Sequence, residues 1–282
     1  MINLATFPNS MHAVVIAPQI DDRHIKNIYQ AALSFNIFNF KTVQIIMPDI
    51  ANVSGGRSIY DHNENKVSIA YSCNTGNVHD ALTVVEQNST QDDGLLIYVT
   101  GHGKITNIGT AYLEDGTAQQ VNSGFVQMDD DPLVAHNLAA KVNTTFEKFS
   151  RFTFADLCYG FDFMKHFVVG KNTVGISASE EGSSSSSETF PQAFWPNLRS
   201  HGSIDSSFGY AFMLDNQRER IEQLPQLAKF DKNTLVVKPT ELDGGHYWDP
   251  QLNGTSAMDG SYGFDNLSRF KQYKLIEEVL ND

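Results

Sequence analysis

Short apolar runs of strand length alternate along this chain with stretches that have the spacing of amphipathic helices. This alternation restricts the possible folds more than any other feature of the sequence. Strand-like runs cover residues 12–18, 42–48, 94–101, 152–158 and 173–178. Most are rich in β-branched or aromatic residues, and all are short enough to be buried parallel strands. Strands separated by helical patterns predict βαβ units, and therefore a largely parallel sheet with helices on both faces.

Apolar residues recur at helical spacing between these runs. The predicted helices cover residues 21–35, 77–85, 135–142 and a long region over 190–223 that is broken near residues 201–203. No change in composition and no proline-rich linker divides the chain, which predicts one domain over residues 1–282.

The rest of the chain predicts loops and a few smaller elements. They are a long surface loop over 49–73, a hairpin over 105–121 with an Asp-Gly turn, a flexible tract of five serines at 183–187, a strand at 235–237 and a closing helix at 270–280.

The charge of the chain argues against two classes of partner. With 20 basic and 33 acidic residues, the net charge is −13. Such a chain is repelled by nucleic-acid phosphates and by anionic lipid. No apolar run approaches the roughly 18 residues of a membrane span, and the N-terminus lacks the regions of a signal peptide. We therefore expect a cytoplasmic protein, or one exported without an N-terminal signal peptide.

Only two cysteines occur, Cys73 and Cys158. Two thiols exclude a disulfide framework and a multi-cysteine zinc module. The spacings of a phosphate loop, a zinc-protease helix and an EF-hand are also missing. We expect neither a metal nor a cofactor, and we interpret Cys73 as a structural thiol.

A histidine and a cysteine are found at the ends of two predicted strands. His102 comes just after one strand, and Cys158 ends the strand-like run at 152–158. Carboxyl ends of neighbouring parallel strands meet at one sheet edge, so the two side chains can meet there. A thiolate is a strong nucleophile, and an imidazole can move its proton. Gly103 permits close approach, and its N–H can join that of Cys158 in stabilising an oxyanion. Each feature taken alone also has a structural interpretation: Cys158 as a packed core thiol, and His102-Gly103 as a turn.

Three blocks of sequence resemble the legumain and glycosylphosphatidylinositol-transamidase family of caspase-fold cysteine peptidases. Residues 95–103 (LLIYVTGHG) resemble its histidine block, and residues 154–160 (FADLCYG) resemble its cysteine block. The pair Arg23-His24 follows the first strand, as in that family. The resemblance extends over roughly residues 13–178. It implies a caspase-like three-layer α/β/α sandwich with a mostly parallel central sheet of about six strands.

The resemblance also implies roles for individual residues. It makes Cys158 the nucleophile and His102 the acid and base of an endopeptidase that acts on a protein or peptide substrate. Arg23, Asp156 and Ser177 correspond to the S1 pocket. An arginine and an aspartate together can bind the oxygen and nitrogen of an amide, which favours Asn at P1, with Asp as a second possibility. A buried Arg23–Asp156 ion pair that only positions the strand ends is the structural alternative.

Departures from the family pattern leave other functions open. Asp21 stands where the family has an asparagine that supports the histidine, and it either orients His102 or caps the helix. Tyr159 follows the cysteine where the family often has a small acidic or serine-bearing turn. A caspase-fold module that binds peptides without cleaving them is therefore one alternative. A transpeptidase that uses the same acyl-enzyme is another.

Overall fold

The part of the chain that the computed structural model describes comprises residues 3–18, 22–48, 67–70, 72–112, 116–169, 172–179, 182, 189–218, 226–231 and 234–238. Asp21, the serine tract at 183–187 and the closing helix at 270–280 lie outside it. So do residues 49–66 of the predicted surface loop and residues 219–223 of the predicted long helix.

Strands and helices alternate through most of this part of the chain. Its strands are β1 (Met11–Ile16), β2 (Thr42–Ile46), β3 (Val67–Ala70), β4 (Gly94–Gly101), β5 (Gly103–Tyr112), β6 (Ala118–Gln127), β7 (Pro132–Val134), β8 (Ser150–Leu157), β9 (Thr173–Ser177), β10 (Gln226–Asp231) and β11 (Thr234–Lys238). Its helices are α1 (Asp22–Ile37), α2 (Thr75–Asn88), α3 (Ala135–Thr145), α4 (Gly160–Met164), α5 (Thr189–His201) and α6 (Ile204–Arg218).

Eight strands form the central sheet, in the order β11-β10-β9-β8-β4-β1-β2-β3. The six strands from β9 to β3 in this order are parallel. The remaining two, β10 and β11, are antiparallel and extend one edge. The predicted α/β fold with a mostly parallel sheet of about six strands is therefore confirmed, and the antiparallel pair adds to it.

Helices cover both faces of this sheet. Helices α1, α5 and α6 contribute to one apolar core, and α2, α3 and α4 contribute to the other. Side chains of each strand alternate between the two cores, since successive residues of a strand point to opposite faces. Tyr98 and Phe154 belong to the core beneath α1, whereas Val99 and Ala155 belong to the opposite core. The predicted three-layer arrangement is thus confirmed.

Aromatic packing holds α1 and α5 against the centre of the sheet. The Trp195 side chain of α5 is fully buried, and its ring lies 5.0 Å from that of Tyr98 and 5.6 Å from that of Phe154, measured between centroids. The Phe35 ring of α1 meets the same indole edge-on at 5.7 Å. Two adjacent strands and two helices are therefore joined through one side chain.

A small second sheet lies between β4 and α3 along the chain. Its three antiparallel strands have the order β5-β6-β7, and the β5–β6 hairpin confirms the one predicted over 105–121. Strand β5 begins at Gly103, directly after His102. Helix α3 then leads back to β8, as the predicted crossover at 135–142 requires.

Two strands differ from the sequence prediction. Strand β3 lies within the predicted 49–73 loop, so that prediction is wrong for residues 67–70. This strand has only four residues and lies at the edge of the sheet. Its pairing with β2 makes it a strand, since its own sequence contains no long apolar run. Strand β10, which pairs with β9, was not predicted. The predicted break near 201–203 is confirmed, because Gly202 adopts a φ of 73° between α5 and α6.

Within the described part of the chain, no helix is both long enough and apolar enough to cross a membrane.

Replacing the central indole should destabilise the fold strongly. We expect Trp195→Ala to lower the free energy of unfolding by about 3–5 kcal/mol, because it leaves a cavity between α1, α5 and the sheet. Urea unfolding followed by circular dichroism measures this change. The control is Ile37→Ala, whose side chain is 61% exposed and should change stability by less than about 0.5 kcal/mol. Equal losses in the two variants would contradict the assigned core.

Candidate active site

The site is built where β4 and β8 end side by side. These strands pair in parallel along their whole length, and their last paired residues are Gly101 and Leu157. His102 and Cys158 are therefore the next residues of the two chains at the same edge of the sheet. The predicted juxtaposition of these two strand ends is observed.

His102 lies on the α1 side of the sheet. Tyr98, Thr100 and His102 are separated by two residues each, and alternation sends all three towards the same face. The exposed His102 ring meets the buried His24 ring of α1 edge-on, with 5.6 Å between centroids. Gly101 makes the turn out of the strand possible, since its φ of 146° is rarely adopted by residues with a side chain.

The His24 ring is held in turn by Arg23. The Nε2 atom of His24 lies 2.8 Å from Arg23 Nη2. A guanidinium can only donate, so this nitrogen of His24 accepts and carries no proton. The first turn of α1 therefore presents an oriented imidazole to the ring of His102.

Cys158 begins a tight turn between β8 and α4. The next residue, Tyr159, adopts a left-handed conformation with a φ of 56°, which is uncommon for a residue with a large side chain. The Ser179 hydroxyl accepts from the Gly160 N–H at 2.9 Å and donates to the Leu157 carbonyl at 3.2 Å. One buried hydroxyl thus binds the chain on both sides of the half-buried Cys158.

Gly103 packs against the backbone of the cysteine. A Cβ atom at this position would overlap the Cys158 carbonyl oxygen and the Leu157 side chain. Only glycine therefore allows the start of β5 to lie so close to the end of β8.

Asp156 is buried on the α1 side, two residues before Cys158, with 6% of its surface exposed. Its Oδ2 atom accepts three hydrogen bonds, from Thr100 Oγ1 at 2.8 Å, Tyr98 OH at 3.0 Å and Asn27 Nδ2 at 3.0 Å. Complete burial, and then the neighbouring Asp156 charge, raise the pKa of Tyr98 well above its ordinary value of 10. Its phenol therefore stays protonated and remains a donor.

The other residues predicted for the site are placed as follows. Arg23 is half-buried in the first turn of α1, one turn before the Asn27 that binds Asp156. Ser177 ends β9 beside Ala155, is fully buried, and donates to the Ser179 carbonyl oxygen at 2.6 Å. Asp21 lies outside the described residues.

Several contributors to the site were not anticipated from the sequence. They are Asn27, Tyr98, Thr100 and Ser179, and the contact of His24 with His102. The two-residue spacing of Tyr98, Thr100 and His102 is a signal that could have placed them on one face. Nothing local marks Asn27 or Ser179, because their partners are distant in sequence.

The second cysteine is buried, and its thiol is a poor nucleophile. Cys73 is fully buried, and its N–H donates to Asp129 Oδ2 at 2.9 Å. Burial, and then the Asp129 charge, raise the pKa of the Cys73 thiol to about 12. This agrees with the interpretation of Cys73 as a structural thiol. Within the described residues, no three His, Cys, Asp or Glu side chains are grouped so that they could hold a metal ion.

Comparisons with known proteins give a likeness in architecture only. The sequence matches no protein-family model and no curated protein sequence. Among solved structures, the caspase drICE is 11% identical with a TM-score of 0.41, over 80% of this chain and 89% of that one. The Geobacter sulfurreducens protein GSU0716 is 10% identical with a TM-score of 0.47, over 82% of this chain and 93% of that one. At such values neither likeness carries an argument about function.

The two cysteines should react differently in the folded protein. With a pKa of about 12, only about one Cys73 thiol in ten thousand is ionised at pH 8, and its sulfur is buried. We expect iodoacetamide to modify the half-buried Cys158 first, and Cys73 only after unfolding. Peptide mass spectrometry after timed exposure measures both sites. Equal modification of the two thiols without denaturant would refute this assignment.

Removing the Ser179 hydroxyl should loosen the cysteine turn. Ser179→Ala leaves the Gly160 N–H without its acceptor, and we expect the free energy of unfolding to fall by about 1–3 kcal/mol. Thermal and urea unfolding measure the loss. Ser200→Ala is the matched control, because that hydroxyl is exposed and donates to the Pro196 carbonyl oxygen of its own helix. A loss no larger than that of the control would show that Ser179 does not hold the turn.

Proposed function

We propose that this protein is a cysteine endopeptidase in which Cys158 attacks the peptide carbonyl and His102 transfers the proton. The observation that supports this most is the parallel register of β4 and β8, whose last pair, Gly101 and Leu157, directly precedes the two residues. Cys158 is half-buried and His102 is exposed at the same sheet edge, so substrate has access to this edge.

Chemically, the reaction divides into two steps. His102 takes the proton of the Cys158 thiol, and the thiolate forms a bond to the scissile carbonyl carbon. The carbonyl oxygen becomes an oxyanion that the N–H groups of Gly103 and Cys158 stabilise. The C–N bond then breaks, and His102 gives a proton to the departing amine. Water attacks the acyl-enzyme with His102 as base, releasing the carboxylic acid and restoring the thiol.

Substrate preference is assigned to the α1 side of the sheet edge. Arg23 offers donors only, and the Asp156 carboxylate is an acceptor, so together they suit both ends of an Asn side chain. Asp at P1 is the second possibility, and Ser177 remains a prediction for the pocket wall. The ring contact between His24 and His102 supports a positioning role for His24. The family that the three sequence blocks resemble, that of legumain and the glycosylphosphatidylinositol transamidase, uses the same chemistry.

A peptide electrophile with Asn at P1 tests the proposal directly. We expect it to modify Cys158 in the wild type, and we expect Cys158→Ala to abolish both modification and hydrolysis of a matched fluorogenic peptide. His102→Ala should lower kcat by about 10²–10⁴-fold. Cys73→Ala is the control and should keep activity within about twofold. Preferential modification of Cys73 in folded protein would overturn the proposal.

The same experiment separates the alternative functions. A wild type that binds the peptide, does not hydrolyse it, and keeps its affinity in Cys158→Ala would be a binding module rather than a peptidase. A product in which an added amine replaces water, at the expense of hydrolysis, would identify a transpeptidase.

A further inference from the structure

We infer that Tyr98, Thr100 and Asn27 are positioning residues that hold one oxygen of Asp156 and thereby make the S1 pocket select Asn over Asp at P1. This inference rests on the proposed function, and it assigns substrate selection to a hydrogen-bond network behind the pocket. None of the three residues is required to touch the substrate.

The three donors come from two different elements and converge on one atom. Tyr98 and Thr100 are on β4, and Asn27 is on α1. All three bond to Asp156 Oδ2, at 2.8–3.0 Å. Their side chains are completely buried, so water does not compete for these bonds. These hydrogen bonds therefore restrict rotation of the Asp156 carboxylate about its Cβ–Cγ bond.

Asparagine is energetically unfavourable at the buried position 27, and the hydrogen bond to Asp156 explains why it is found there. Its own Oδ1 atom is buried and has no hydrogen-bond partner among the described residues. An unpaired buried amide oxygen costs about 1–3 kcal/mol. An apolar residue would avoid that cost, so the benefit of asparagine at this position is the hydrogen bond to Asp156.

The second oxygen of Asp156 is the one that remains for a ligand. Among the residues that the structure describes, all the hydrogen bonds to this carboxylate go to Oδ2 and none goes to Oδ1. Because all three donors occupy Oδ2, the carboxylate can offer Oδ1 to the N–H of a P1 amide, while Arg23 takes the amide oxygen. A P1 carboxylate would instead bring a second negative charge against Asp156, which is unfavourable in a buried site.

Loss of one donor should therefore change selectivity more than stability. In Thr100→Val the carboxylate can rotate, and we expect kcat/KM for a P1-Asn peptide to fall about tenfold, roughly one hydrogen bond. The value for the otherwise identical P1-Asp peptide should change by less than about twofold. Tyr98→Phe, which removes only a hydroxyl, should also lower the ratio of kcat/KM for the P1-Asn peptide to kcat/KM for the P1-Asp peptide.

Two further variants separate positioning from a general structural effect. Thr100→Ser keeps the hydroxyl and should restore the wild-type ratio of P1-Asn to P1-Asp cleavage. Thr153→Val removes an equally buried hydroxyl from β8, opposite Ile97 rather than beside Asp156, and should leave the ratio unchanged. Unfolding measurements on all variants identify any that do not fold. If Thr100→Val does not fold, the ratio measured for Tyr98→Phe tests the inference in its place.

The outcomes for this inference and for the proposed function are distinct. If the wild type cleaves peptides through Cys158 but the ratio is unchanged in Thr100→Val and Tyr98→Phe, the positioning role is refuted and the peptidase stands. Equal losses with both peptides refute it as well. If the wild type cleaves neither peptide and Cys158 is not modified, the proposed function fails and the selectivity inference fails with it.

Discussion

The parallel register of β4 with β8, which extends from the pair Gly94 and Ser150 to the pair Gly101 and Leu157, decides which side chains meet at the candidate active site. Side chains alternate along a strand, so a shift of one residue would turn Asp156 away from α1 and separate it from Thr100. The register also puts the residues that follow the two strands, His102 and Cys158, at the same level. The meeting of these two residues is therefore a consequence of how two buried strands pair.

Helix α1 connects this sheet edge to the core. Its apolar face packs with α5 over β4 and β8, where the Tyr98 and Trp195 rings are 5.0 Å apart. The same Tyr98 turns its hydroxyl to Asp156, and Asn27 of α1 bonds to the same oxygen. A buried carboxylate is costly unless it is well hydrogen-bonded, and these donors supply what the apolar surroundings cannot. The packing that stabilises the fold therefore also orients the candidate pocket.

The cysteine turn is held from the other neighbouring strand. Ser179, just beyond β9, bonds to both sides of Cys158, and Ser177 bonds to the carbonyl of Ser179. These buried hydroxyls stabilise the turn that contains the left-handed Tyr159. Three neighbouring parallel strands and one helix thus contribute to the site, each through a residue at or near its end. This division of roles agrees with the rule that function gathers at the carboxyl ends of parallel strands.

Much of the fold could be predicted because the long buried strands have nearly continuous apolar sequences, and the helices have apolar residues at helical spacing. The strand-end position of His102 and Cys158 could be predicted for the same reason. Strand β3 could not, because its four residues at the sheet edge carry little pattern of their own and pairing with β2 defines them. Partners such as Asn27 and Asp156, which are 129 positions apart, leave no local trace either.

By itself, the sequence determined the long buried strands, most of the helices between them, and the presence of a thiol and an imidazole at two strand ends, since these depend on local periodicity and residue type. Only the tertiary structure decided that β4 and β8 are neighbours in this register, that His24 meets His102, and that three donors converge on one oxygen of Asp156. Those features depend on contacts between segments far apart in the chain, and such contacts exist only once the core has packed.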